Sequence, residues 1–151
     1  CLGATFSLGD LSKEISQHDH AKNLAMLREL SVDLYDSLDK DVLQGRVALR
    51  CATPDYLPMA GLLLDTEALK AAAPRHTADP STLPWLDGLY VNTGHGSKGL
   101  INAPLCAEIL ASAICGGPAP VDRKLLAALD PNRFILRDMG LKRLIGSAAI
   151  R

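Results

Sequence analysis

Apolar residues recur at steps of three and four from about residue 18 to 38, where HDHAKNLAMLRELSVDLYDSL sets Leu24, Leu27, Leu30, Leu34 and Leu38 on one stripe. That period predicts an amphipathic helix whose apolar side packs into a core and carries no chemistry. The pattern changes at GRVALRC, residues 45–51. If this segment is extended, Val47, Leu49 and Cys51 face one way while Arg46, Ala48 and Arg50 face the other. Two guanidinium groups separated by a methyl suit a carboxylate or phosphate, because Arg stays charged and offers a planar fork of donors. A solvent-facing strand with ordinary charges is the plainer alternative. TPDYLP follows, and its Pro54 and Pro58 keep a central strand from continuing.

Residues 65–73 predict a short helix, and a loop rich in Pro, Thr and Ser then carries an exposed His76. PWLDGLYVN reads as a turn at Asp87-Gly88 before a short buried strand, Leu89 to Asn92. From Leu100 onward Ile101, Leu105, Ile109 and Ala113, with Cys106, Leu110 and Ile114, recur at helical steps. A helix apolar around so much of its circumference is expected to be buried, with Pro104 in its first turns or at a kink. Gly116-Gly117, Pro118 and Pro120 end it. A short helix at 121–129 and a basic tail complete the pattern, and the chain contains neither a repeat nor a low-complexity tract.

With 151 residues, 48% of them hydrophobic, and a slightly positive mean hydropathy, the chain has the size and composition of one soluble globular domain. It has no apolar run of membrane-spanning length, and its start lacks a basic n-region or cleavage pattern, so neither membrane nor export is expected. The chain opens without Met in an apolar stretch ending FSLGD, as a strand does when cut from a longer protein. A fragment is therefore expected. Residues 1–121 hold 9 Lys/Arg against 14 Asp/Glu, and residues 122–151 hold 7 against 3. The basic end fits either an anionic partner or a solvated tail. Cys1, Cys51, Cys106 and Cys115 form no Cys-x-x-Cys pair, which predicts neither a zinc site nor a disulfide scaffold and fits a reducing cytoplasm. His18 and His20 flank Asp19 without a further ligand cluster, so helix-entry polarity explains them and no metal is expected.

The chemistry concentrates in LYVNTGHGSKGLINAPLCAEIL, residues 89–110, where Gly94, Gly96 and Gly99 have the Gly-x-Gly-x-x-Gly spacing. A strand, a glycine turn and a helix start present backbone N–H groups and the positive end of a helix dipole to negative charge. A simple nicotinamide domain would need a second strand about 20 residues on, ending in an acidic residue. CGGPAPVDRKLL stands there instead. The segment suits the closing strand and helix of a larger cofactor domain.

VNTGHGSKGL resembles the Asn-x-Gly-His-Gly-x-x-Gly-Leu stretch of flavoproteins of the D-amino-acid oxidase type. LRCATPDYLP is similar to the setting in which their Arg pairs with a substrate carboxylate, with Cys51 where several relatives have Pro. LRCATPDYLPMAG, GSKGLINAPLCAEILA and LLAALDPNRF together resemble the C-terminal part of the bacterial bifunctional tRNA 5-methylaminomethyl-2-thiouridine biosynthesis family. This resemblance implies an α/β fold, more narrowly an α+β fragment. Residues 1–82 would be part of a substrate-binding subdomain, 83–118 the closing strand and helix of the FAD domain, and 119–151 a short helix and basic tail. It implies FAD held at Gly94, His95, Gly96, Ser97, Lys98, Gly99 and Leu100, near the pyrimidine side of the flavin ring. Substrate would bind at Arg50, Arg46 and His95, although His95 could equally cap the helix. Arg133, Arg137, Lys142 and Arg143 would contact tRNA phosphates.

The implied reaction removes the carboxymethyl group from carboxymethylaminomethyl(-2-thio)uridine at the tRNA wobble position. A hydride would pass from the carbon beside nitrogen to the flavin, and imine hydrolysis would leave an aminomethyl group with no acid, base or nucleophile from the protein. Upstream FAD-binding and methyltransferase parts of the same parent chain would complete the enzyme. The alternatives are an oxidase of glycine or another free small amine, and an isolated fragment without activity.

Overall fold

The computed structural model describes residues 3–147. The chain divides into two compact units, residues 1–49 and 50–151. The first contains helices α1 (Gln17–Leu30) and α2 (Val32–Ser37). Ser16 Oγ accepts from Asp19 N at the start of α1, and Ser31 Oγ accepts from Leu34 N at the start of α2. The helix expected over 18–38 is thus two. Ser31 has an extended backbone, φ −160° and ψ 109°, and its side chain competes for the backbone donors that an unbroken helix would use. The break disrupts the leucine stripe: Leu27 is buried, whereas Leu30 and Leu34 are exposed. Arg28 and Lys40 lie 5.6 and 4.3 Å from the Tyr35 ring centroid.

The second unit is built on a two-stranded antiparallel sheet, β1 (Met59–Leu64) and β2 (Trp85–Thr93). In β1 the small and branched apolar residues alternate, so Ala60, Leu62 and Leu64 are buried and their neighbours less so. The register runs from Met59–Thr93 to Leu62–Tyr90 and then shifts, with Leu64 opposite Trp85. The turn expected at Asp87-Gly88 is part of that irregularity within β2, which starts earlier than Leu89. Gly88 supplies its positive φ of 77°. Asp65 caps helix α3 (Thr66–Ala72) by accepting from Glu67 N and Ala68 N.

After β2 come α4 (Gly99–Cys115), α5 (Arg123–Leu129) and α6 (Arg133–Asp138). Leu64, Leu69, Leu83, Leu136, Leu141 and Leu144 form one apolar cluster, and Ala60, Cys106, Ile109 and Leu129 form another. Each fully buried Leu contributes on the order of 1.5–3 kcal/mol. The residues read as a basic tail therefore help build the core.

Strands β1 and β2 pair across residue 82. Two further expectations change. Residues 43–51 form no strand; Arg46 lies in the first unit and Arg50 opens the second, so they do not share a strand surface. Helix α4 buries Cys106 and Ile109 but exposes Leu100, Ile101, Leu105 and Ile114. It packs on β1 and β2 from one side, and its other apolar residues meet no comparable layer within this unit. The result is an α/β fragment of helices around a small antiparallel sheet.

Candidate functional site

Arg133 shapes the loop that leads into β1. Its Nε donates to Asp55 Oδ2 and its Nη2 to Asp55 Oδ1, both at 2.8 Å, a bidentate pair. Nη2 also donates to Leu57 O, and Nη1 donates to Pro58 O and Asp130 O. Five hydrogen bonds thus match the five N–H groups of a fully buried guanidinium. The same hydrogen bonds hold the Asp55 carboxyl well below the ordinary carboxylate range, against the smaller opposing effect of desolvation.

The neighbouring residues bind the strand edge. Asn132 Oδ1 accepts from Leu64 N and its Nδ2 donates to Leu62 O, replacing a strand partner with a side-chain amide. Asp130 accepts from Asn132 N, Asn132 Nδ2 and Gly146 N. Burial nevertheless pushes the Asp130 pKa up, with those hydrogen bonds opposing the shift. Burial likewise raises that of the Cys106 thiol.

This frame carries residues 50–57 against the glycine turn. Cys51 O accepts from Gly96 N at 3.0 Å, and Ala52 forms an isolated antiparallel bridge with His95. Gly94 and Gly96 have φ of 74° and 57°. A Cβ added at Gly94 would lie 2.9 Å from Thr53 Cγ2, so glycine is required there by both backbone angle and space. Thr53 Oγ1 in turn donates to Leu57 O at 2.6 Å. At the far end of the turn Lys98 N donates to His95 O, and α4 starts without a side-chain cap. His95 Nδ1 is buried without a hydrogen-bond partner.

The sequence-derived candidates fall into three groups. Gly94, His95, Gly96, Ser97, Lys98, Gly99 and Leu100 are contiguous, and Arg50 lies one residue before the carbonyl bonded to Gly96. Arg46 belongs to the first unit and lies outside any strand. Among the cations, Arg133 is an internal pin, because its charge is spent on Asp55 and three carbonyls; its assignment as a phosphate contact is corrected. Arg143 donates to His76 O and Ala78 O, Arg137 is half-exposed 3.8 Å from Asp55, and Lys142 is exposed. Sequence reasoning missed Asp55, Thr53, Asp130 and Asn132 because their partners lie up to 78 positions away, beyond any local period. A clue was present: Arg133 opens α6 directly before the apolar run Phe134-Ile135-Leu136. Among the described residues no group of three or more His, Cys, Asp or Glu could hold a metal, and no helix is long and apolar enough to cross a membrane.

Residues 1–113 match the family described as FAD dependent oxidoreductase. The chain is 57% identical over 150 residues to the tRNA 5-methylaminomethyl-2-thiouridine biosynthesis bifunctional protein MnmC of Methylobacillus flagellatus, a match covering 99% of this chain and 23% of that protein. It is 48% identical to the protein of the same name from Chromobacterium violaceum, over 92% of this chain and 22% of the relative. The corresponding figures for Pseudomonas aeruginosa are 44%, 91% and 23%. The chain thus spans under a quarter of the length of these curated relatives.

Proposed function

The chain belongs to the FAD-dependent oxidoreductase family, and from that premise we propose that the glycine turn and Arg50 form the flavin-facing and carboxylate-binding parts of a tRNA-modifying oxidoreductase. The substrate would be carboxymethylaminomethyl(-2-thio)uridine at the wobble position, and the product aminomethyluridine. The observation that carries this reading is the Gly96 N–H to Cys51 O hydrogen bond beside the Ala52–His95 bridge, which ties the Arg50 segment to the turn.

The residues present fit FAD. Left-handed glycines let the backbone approach a ring closely, and a helix N-terminus without a side-chain cap favours negative charge. Partnerless His95 Nδ1 offers a polar contact, while exposed Leu100 and Ile101 offer apolar cover. Gly94, His95, Gly96, Ser97, Lys98, Gly99 and Leu100 would hold the flavin. When bound, the flavin supplies the two-electron acceptor for oxidation of a carbon beside nitrogen.

Arg50 would grip the glycine-like end of the modified uridine through a charge-assisted pair, orienting the carbon to be oxidised. The uncapped amides of α4 would stabilise negative charge on the neighbouring ring by up to about 1 kcal/mol or somewhat more if partly buried. Arg137, Lys142 and Arg143 are the candidate phosphate contacts. The methyltransferase and the remaining FAD-binding elements would belong to other parts of the longer, cytoplasmic protein. The test is turnover by the full-length FAD protein of tRNA carrying the carboxymethylated base, compared with glycine. Conversion of the tRNA supports this reading; oxidation of glycine alone supports a free-amine oxidase.

A further inference from the structure

We propose that Tyr56 is a stacking platform for a nucleobase of the RNA substrate, an inference that rests on the tRNA reading of the site. Tyr56 has φ 59°, in the left-handed region that a bulky aromatic side chain rarely enters. The other non-glycine residue with positive φ among those described, Ala73, ends helix α3, where such a conformation is ordinary. Tyr56 terminates no helix. It is 82% exposed, so ring burial does not offset the strain.

The strain persists because both sides of the residue are fixed. Tyr56 N donates to Thr53 O at 3.1 Å, closing a tight turn. Leu57 N donates to Asp55 Oδ1, and Leu57 O accepts from both Thr53 Oγ1 and Arg133 Nη2. Asp55, the residue before Tyr56, is held by the buried guanidinium of Arg133. Strained conformations maintained by an over-determined frame cluster at binding sites. This frame is the same one that carries Thr53 to Gly94 and Cys51 to Gly96, so the backbone that presents the aromatic ring is fixed on the loop that borders the turn.

An exposed phenol on a rigid loop, beside a site for an extended modified uridine, matches single-stranded RNA recognition. Unstacked bases find a sequence-tolerant partner on a Tyr face. With the backbone already held, only the side-chain torsions of Tyr56 remain to be ordered when a base settles on the ring.

The experiment uses the full-length FAD protein with tRNA bearing the carboxymethylated wobble uridine, comparing wild type, Tyr56→Phe and Tyr56→Gly. Glycine accepts the left-handed backbone, so Tyr56→Gly keeps or raises the melting temperature while removing the ring. The expected result is a KM for tRNA raised about tenfold or more in Tyr56→Gly, with kcat and the flavin absorption spectrum unchanged. Tyr56→Phe stays within about twofold of wild type, since stacking needs no hydroxyl. A wild-type KM in Tyr56→Gly, equal losses in both variants, or a parallel fall in kcat and flavin content overturns the proposal while leaving tRNA modification intact. If the wild-type protein converts no tRNA, the functional reading fails and this inference with it.

Discussion

Arg133 and Asp55, 78 residues apart in sequence, form a bidentate ion pair with both N···O distances at 2.8 Å. The pair joins the start of α6 to the loop before β1, and through Thr53 that loop reaches the glycine turn. Arg133→Ala would remove the guanidinium donors from Asp55 and three carbonyls, leaving Asp55 the hydrogen bond from Leu57 N and Leu57 O that from Thr53 Oγ1. It should destabilise the protein by about 3–5 kcal/mol in urea unfolding. Arg133→Lys should recover only part of this, because an ammonium cannot reproduce the planar fork. Unchanged unfolding in Arg133→Ala would show that the pair does not hold the loop.

Acid should weaken this connection. Asp55 titrates lower in the folded protein than in the unfolded chain, where an Asp has a pKa of about 3.9. Its stabilisation is present above that pH and is lost as pH falls toward the folded value. Asp130 has the opposite sign: its raised pKa gives a contribution fully present below the unfolded value and lost as pH rises through the folded one. Melting temperature measured downward from about pH 5 should fall less steeply in Asp55→Asn than in wild type. Equal slopes would exclude Asp55 as a source of the acid sensitivity.

Asn132 provides a separate check on the fold. Replacement by Leu would leave Leu64 N and Leu62 O of β1 without the amide they bond and should cost about 1–3 kcal/mol. The lost protection should be localised in hydrogen exchange at Leu64 N. Exchange there at the wild-type rate would mean that the strand edge does not depend on this side chain.

The local pattern reveals more of this molecule than the long-range pattern does. Helix α3, the strand containing Leu89 to Asn92, the glycine-ended α4 and the helix at 123–129 follow from apolar spacing and turn residues. The period could not locate the break at Ser31, because one hydroxyl accepting from Leu34 N decides it. Nor could it show that α4 has one packed side, since apolar composition marks every face that can be covered without saying what covers it. At the site, the glycines and Arg50 were legible as motifs. Arg133 was legible only as a charge, and its burial depends on Asp55 at the other end of the unit.

The two left-handed glycines should differ in tolerance. Gly94→Ala adds backbone strain and a 2.9 Å approach to Thr53 Cγ2, whereas the Cβ of Gly96→Ala meets Ala52 Cβ at an ordinary 3.8 Å. Both substitutions should weaken FAD retention in the full-length protein. Gly94→Ala should be the more destabilising by roughly 1 kcal/mol, the scale of overpacking added to shared left-handed strain. Equal melting temperatures and FAD content would separate Thr53 from the behaviour of the turn.

Phosphate binding can be tested on the exposed cations alone. Arg137→Ala and Lys142→Ala should each lower the slope of log affinity for tRNA against log salt by about 1 if each side chain contacts one phosphate. An unchanged slope in both would assign these residues to the solvated surface.

The most direct measurement is kcat/KM of full-length Arg50→Ala for tRNA carrying carboxymethylaminomethyluridine, with flavin content determined in the same preparation. Flavin content should match wild type and kcat/KM should fall by about 100-fold, consistent with loss of a charge-assisted carboxylate contact worth about 3 kcal/mol. Wild-type kcat/KM with the flavin retained would contradict the pairing of Arg50 with the substrate carboxylate.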